Sequence, residues 1–206
     1  MTKKELILVA AQKLFARHGY PGTTVKMVAE EAGVASGLVF HYFESKENLF
    51  MSAGSQLVDI MLDYLRDRTA NEPDGCAALG AFVRAYLDFT LEYSDTFPTL
   101  IRCSPFSDDN PGLDRQKIGD KFQELINHIE ELLRRGMEDG SIVRAPVAQT
   151  AYIVYANIVG AVRTKFLTPY KAPGLYEEAA TFVIRSVCTG NQAGEAGQDK
   201  DNTLVS

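Results

Sequence analysis

The chain is expected to be all-α, about nine helices, with a three-helix helix-turn-helix head at the N-terminus and a C-terminal helical domain. Three observations lead there. Apolar residues recur in steps of three and four through nearly the whole length, the period of amphipathic helices. Short Gly/Pro/Asn clusters punctuate those stretches. Residues 23–50, TTVKMVAEEAGVASGLVFHYFESKENLF, carry two short helical patterns around a glycine turn and then the start of a longer one. At 206 residues and 46% apolar content the chain is large enough to bury a real core.

Helix one is expected from about Lys3 to His18, with Leu6, Ala10 and Leu14 on one face and Gly19 at its end. Thr24 can cap helix two, since its hydroxyl accepts a free backbone N–H. Val25, Val28, Ala29 and Ala32 then share a face. Gly33 stands where a helix closes on a left-handed residue, which glycine adopts without steric cost. Helix three, about Ser36 to Phe43, offers Val39 and Phe43 inward and leaves Ser36, Leu38 and His41 outward. Such an arrangement holds one helix proud of the surface, where a DNA major groove can receive it.

Ser45 suits the N-cap of helix four, expected to reach about Arg68 with Leu49, Ala53, Leu57, Ile60 and Tyr64 in one stripe. Asn71 to Gly75 breaks the chain before a helix from about Cys76 to Tyr93. Asp95 is placed as the cap of a short helix ending at Cys103, and Ser104 to Asp114 as a loop. Helix seven spans about Leu113 to Asp139, with Gly140 ending it. Pro146 belongs to the first turn of helix eight, which reaches about Leu167. Pro173-Gly174 precedes the last helix, about Leu175 to Cys188, and the tail from Gly190 reads as disordered. The division is therefore 1–46 for the head, 47–189 for the larger domain and 190–206 for the tail.

The formal net charge of −6 is unevenly spread. Residues 1–50 carry six Lys/Arg against five Asp/Glu, while the remainder carries fifteen against twenty-two. The asymmetry is mild, so binding to DNA has to rest on geometry and on two subunits rather than on bulk charge. Three cysteines without metal-type spacing, in a chain too large to need staples, read as a reduced cytoplasmic protein. No apolar run has the length of a signal core or a membrane span.

Residues at fixed spacing carry a resemblance: Ala10-Ala11, Leu14-Phe15, His18-Gly19-Tyr20, Thr23-Thr24-Val25, Val28-Ala29, Ala32-Gly33-Val34, Gly37, His41-Tyr42-Phe43, Lys46-Glu47 and Leu49-Phe50. Over about the first fifty residues the chain closely resembles the DNA-binding domain of the TetR family of transcriptional regulators. The resemblance implies that positions matching Tyr42 and Lys46 touch the DNA backbone and those matching Ser36, Leu38 and His41 lie nearest the bases. Residue chemistry agrees: a phenol and an ammonium suit phosphates, and Gly37 permits close approach. Thr24, Ser36, Gly37, Leu38, Phe40, His41, Tyr42 and Lys46 are thus the candidate DNA-binding residues. Ala35, Leu38 and Phe40 depart from the family's usual Ser/Thr, Thr and Tyr. Either readout shifts toward thymine methyls, or Leu38 and Phe40 simply pack inward.

Helix eight is apolar almost all round from Ala151 to Val162, with Ala156, Gly160 and Ala161 small enough for close helix approach. It is either a central core helix or, with the last helix, half of a homodimer interface through about 146–167 and 175–188; the latter is preferred. The resemblance further implies a sensor for a small-molecule effector, for which Phe82, Tyr86, Phe89, Phe122, Ile126 and Tyr155 are candidate lining residues. The function expected is a ligand-responsive dimeric regulator, most simply a repressor released from a near-palindromic double-stranded DNA operator, with no membrane partner and no cofactor. An enzyme is not expected: the histidines at 18, 41 and 128 lack zinc spacing, the stretch from Asp108 fails as a calcium loop, and no phosphate-cradling loop or nucleophile elbow occurs. The alternative is a helical ligand- or partner-binding protein with a degenerate head.

Overall fold

A computed structural model describes residues 1–104 and 115–190. Among the described residues the chain forms nine helices: α1 (Lys3–Gly22), α2 (Val25–Glu31), α3 (Ser36–Phe43), α4 (Lys46–Thr69), α5 (Gly75–Glu92), α6 (Phe97–Cys103), α7 (Arg115–Asp139), α8 (Val147–Leu167) and α9 (Leu175–Val187). The all-α class is as expected, and among the described residues no helix is long and apolar enough to cross a membrane. The expected loop at 104–114 and the tail from Gly190 fall almost wholly outside the described residues.

Two compact units emerge. The first comprises Met1–Tyr64 with Asp88–Leu125, so the head helices pack as one body with most of α4 and with α6. Its α1 begins with a reciprocal cap, in which the Glu5 N–H donates to the Thr2 hydroxyl and the Thr2 N–H to the Glu5 carboxylate. Gly19 interrupts α1 at φ 68°, which is why the regular helix stops at His18 and a kinked turn carries the chain on to Gly22. The core between α1 and α4 is aromatic: the Phe15 ring meets Phe50 edge-on at 4.8 Å, and Tyr20 lies 5.2 Å from Phe50. Buried polar bonds fasten α1 to its neighbours. The Gln12 amide donates to the Ala53 carbonyl and to Gln56, and the Thr99 hydroxyl donates to the Gln12 carbonyl at 2.7 Å.

The second unit comprises Leu65–Leu87 with the chain from Ile126 onward. Here α5 starts against the end of α7 so closely that a Cβ on Gly75 would come 2.2 Å from the Gly136 backbone. The Gly75 N–H donates to Asp139 and the Cys76 N–H to the Ser141 hydroxyl. Hydrogen bonds from the Ser141 side chain and backbone N–H, and then from the Gly75 N–H, hold the Asp139 carboxyl below the usual range. Helices α8 and α9 pack on each other, with Val154, Ile158, Ala161, Ala179, Ala180 and Val183 buried.

Two expectations need correction. Asp95 does not cap α6: the helix begins at Phe97, with Thr96 as its N-cap residue and no side-chain capping bond. Pro98 occupies the first turn, where the missing N–H costs nothing, and the Thr96 and Phe97 N–H groups bond back to the Tyr93 carbonyl, so Asp95 lies in the turn that follows α5. Nor are all three cysteines free. Cys76 and Cys188, 112 residues apart, are joined by a disulfide, while Cys103 is free and buried. Sequence spacing carries no sign of this pairing, because the docking of the α9 end beside the α5 start creates it.

Candidate nucleic-acid interface

The helix-turn-helix is built from local signals. The Met27 N–H donates to the Thr24 hydroxyl at 3.2 Å, opening α2. Val28 and Ala29 are buried, and Gly33 closes the helix at φ 64°. Helix α3 has the bounds expected of it, with Val39 and Phe43 at 1% and 4% exposure. Ala35 occupies its N-cap without a side-chain bond, the direct consequence of the lost hydroxyl. Glu44 ends α3 at φ 64° and ψ −41°, a positive-φ conformation that is uncommon outside glycine and that turns the chain sharply into α4. Ser45 then caps α4 by accepting from the Asn48 N–H at 3.0 Å.

This scaffold presents one face of α3 to solvent. Phe40 is 50% exposed and Tyr42 40%, and His41 stands exposed beside Tyr42 with ring centroids 5.4 Å apart. Ser36 and Leu38 are half-buried, and around Gly37 a Cβ would meet nothing within 4 Å. The open choice for Leu38 thus resolves as an edge position, partly packed and partly reachable. Phe40 faces outward, and the inward alternative does not hold for it. Thr24 is exposed, its oxygen engaged as the cap acceptor and its proton left to donate. Lys46 opens α4, with its ammonium 4.3 Å from the centre of the Tyr20 ring, and partial burial there lowers its pKa.

Residues that sequence reading passed over also shape the site. Lys4 lies 5.9 Å from the Phe43 ring, adding a cation from α1 near the base of α3. Gln12 ties α1 to α4 and, through Thr99, to α6. A glutamine on the buried face of α1, one turn from Leu8 and Ala16, was the signal for it.

The matches to known proteins agree with this geometry. A family model described as "Bacterial regulatory proteins, tetR family" matches residues 7–53. The HTH-type transcriptional regulator RutR of Escherichia coli (strain K12) is 30% identical over 157 residues, covering 75% of this chain and 71% of RutR. The chain belongs to the TetR family. The HTH-type transcriptional repressor AcnR of Corynebacterium diphtheriae is 37% identical over 76 residues, 31% of this TetR-family chain and 40% of AcnR. The crystal structure of the transcriptional regulator FadR from Bacillus subtilis in complex with stearoyl-CoA superposes with TM-score 0.74 at 18% identity, covering 87% of this chain and 97% of FadR. These relatives are transcriptional regulators rather than enzymes, and the helix-turn-helix is the DNA-binding part of the TetR family. Among the described residues no cluster of three or more His, Cys, Asp or Glu is placed to hold a metal.

Of the six candidate effector-lining residues, Phe82, Tyr86, Ile126 and Tyr155 fall in the second unit and Phe89 and Phe122 in the first. All six are buried. Phe82 contacts Tyr86 at 6.4 Å and Tyr86 contacts Tyr155 at 6.3 Å, a continuous ring cluster. Burial is the main cause that pushes the Tyr86 phenol up to about 12, opposed by its hydrogen bond with Tyr155. Phe89 instead stacks on Tyr93 at 4.2 Å.

His128, at 8% exposure, sits edge-on to Phe82 at 5.3 Å, with its Nε2 3.2 Å from the Thr69 hydroxyl. Thr69 spends its own proton on the Leu65 or Arg66 carbonyl, so Nε2–H is the donor and Nδ1 is a bare acceptor. That Nδ1 is buried without a protein partner. Burial lowers the His128 pKa from 6.5, with Glu131 opposing and Arg66 assisting. The folded state therefore prefers the neutral ring. Its contribution is complete above the unfolded value of 6.5 and is lost as the pH falls below that toward the lower folded value. Thermal melting of the wild type should drop more steeply between about pH 7 and pH 5.5 than that of His128→Gln, which has no ring to charge. Parallel pH profiles would refute this assignment.

Proposed function

We propose that this chain is a ligand-responsive dimeric repressor, released from a near-palindromic operator when a small molecule binds its C-terminal domain in the cytoplasm. In this reading residues 1–46 are the DNA-binding head, and 47–189 carry the effector site and the dimer contacts. The observation that carries it is the solvent-facing side of α3, where Phe40, His41 and Tyr42 stand exposed on a helix anchored by Val39 and Phe43. Ser36, Gly37, Leu38, Phe40 and His41 address base edges and thymine methyls; Tyr42, Lys46 and the Thr24 hydroxyl address phosphates.

Two-fold pairing is supported by an apolar strip. Tyr152 (48% exposed), Ile153 (66%), Ala156 and Gly160 line one side of α8, and Phe182 (48%) lies on α9. An uncovered strip of this kind favours a second copy over an ordinary monomer core. Paired heads then meet successive major grooves about 34–36 Å apart. For the effector, the Phe82–Tyr86–Tyr155 cluster beside the acceptor Nδ1 of His128 favours an apolar molecule bearing an O–H or N–H donor. Release needs only a preference of that molecule for one of two α4 positions, typically about 1–3 kcal/mol of coupling.

Selection of bound fragments from random duplex DNA tests the reading. The expected result is a two-fold site whose half-sites lie one helical turn apart, with thymine enriched where Leu38 and Phe40 reach. Recovery of no common sequence, with affinity unchanged by salt, would favour the degenerate-head alternative, which the uncapped α3 start and the mild basic charge of the head support.

A further inference from the structure

We propose that Cys76 and Cys188 form a reversible thiol–disulfide site, opened and closed by exchange with low-molecular-weight thiols and disulfides of the glutathione type. The site stands on the second unit alone and goes beyond the regulator reading.

The pair is held in place by the backbone rather than by the sulfur bond. Their Cα atoms are 5.7 Å apart. Cys188 joins Ile142 in an isolated antiparallel bridge. On either side of it the Val143 N–H donates to the Val187 carbonyl at 2.9 Å and the Thr189 N–H to the Ser141 carbonyl at 3.0 Å. On the other side, the Cys76 N–H donates to the Ser141 hydroxyl at 3.0 Å. Ser141 thus bonds Cys76 at one end and Thr189, the residue after Cys188, at the other. With the sulfurs reduced, these bonds still dock the end of α9 beside the start of α5, so the bond can open and re-form without refolding. A chain with this much buried apolar surface needs no staple to fold, and disulfides in reducing compartments are mostly transient.

The three thiols differ in reach. Cys76 is half-buried in the first turn of α5, whereas Cys188 is 5% exposed. Cys103 is 2% exposed, and burial pushes its thiol up to about 12, which makes it inert. Attack therefore begins at Cys76. The α5 N-terminus does not strongly activate it, because Asp74 and Asp139 already accept from the Ala77 and Gly75 N–H groups at 2.8 Å. A thiol of this kind suits equilibrium exchange better than rapid scavenging.

Exchange proceeds in two steps. The Cys76 thiolate attacks one sulfur of a glutathione disulfide; its S–S bond breaks and one glutathione thiolate leaves. Cys188, giving up its proton to solvent, attacks the Cys76 sulfur of the mixed disulfide, and the second glutathione thiolate leaves. Two protein thiols lose two electrons, and one small disulfide gains them as two thiols. Excess reduced glutathione runs the same steps backward.

The test uses the full-length chain in buffers spanning reduced to oxidised glutathione. Samples are acid-quenched, unfolded and alkylated with a mass-tagging maleimide. The expected result is one transition from three reactive thiols to one, with Cys103 the thiol that remains. Cys188→Ser should halt at a glutathione adduct on Cys76, and Cys76→Ser should show no transition. Closure of a loop this long should raise the melting temperature by about 10 °C or more. A bond that stays shut in excess reduced glutathione while the chain is native would overturn the proposal, as would three thiols persisting in the oxidised buffer. The same holds for an adduct on Cys103 or for equal melting of both forms. None of these readouts involves DNA, so loss of operator binding in every buffer would count against the regulator reading alone.

Discussion

Tyr42→Phe combined with Lys46→Ala lowers operator affinity of the full-length chain by about a hundredfold or more and flattens its salt dependence. A charge-assisted bond is worth about 1.5–3 kcal/mol, and each is lost once per protomer. Removing one phosphate contact per protomer lowers the slope of log affinity against log salt by about two. The fold should survive. Tyr42 is 40% exposed and needs no burial, and Lys46 gives up only its contact with the Tyr20 ring, worth about 0.5–1 kcal/mol. Lys46→Arg should keep the slope, since guanidinium carries the same charge and reaches phosphate as well. Mobility-shift titrations at several salt concentrations measure both quantities. Affinity and slope equal to the wild type would mean that the junction of α3 and α4 does not sit on the DNA backbone.

Phe50→Ala destabilises the first unit by about 3–5 kcal/mol, a large share of the roughly 5–15 kcal/mol that holds a domain folded. Phe50 is fully buried and packs edge-on to Phe15 at 4.8 Å. Truncation leaves a void beneath the start of α4 that two rigid aromatic neighbours cannot fill. Melting should fall by about 10 °C or more, and operator binding should fail at temperatures the wild type tolerates. Phe40→Ala is the contrasting case, because half its surface already faces water and its loss should shift stability by no more than about 0.5 kcal/mol. Thermal or denaturant unfolding of both variants decides the matter. Similar destabilisation by the two would contradict the assignment of Phe50 as core and Phe40 as surface.

The head was legible in the sequence because its signals are local. Thr24 as cap, Gly33 as left-handed stop, and Val39 with Phe43 as the anchoring pair each depend on residues within one or two turns. The same locality made Ser45, Gly140 and Gly174 readable as boundaries. Legibility failed where competing local signals met. Asp95 is a good capping residue, but the turn leaving α5, in which Thr96 and Phe97 bond back to the Tyr93 carbonyl, takes it up and α6 starts at Phe97. Leu38 lies at the rim of a short helix, where half a turn of uncertainty separates packed from reachable, and its half-buried position reflects that.

By itself, then, the sequence determined the helical period, the caps and stops, the helix-turn-helix and, through residues 7–53 and the longer match to RutR, the family. Those properties follow from backbone sterics and from side chains a few positions apart. Only the tertiary structure decided that Gln12 bonds across to Ala53, that the Thr69 hydroxyl leaves Nδ1 of His128 as a bare acceptor, and that Cys76 meets Cys188. It likewise placed Phe82, Tyr86 and Tyr155 in one compact unit and Phe89 and Phe122 in the other. Each of these joins residues 41 or more positions apart, or divides residues on one helix, and such relations arise only when whole helices dock.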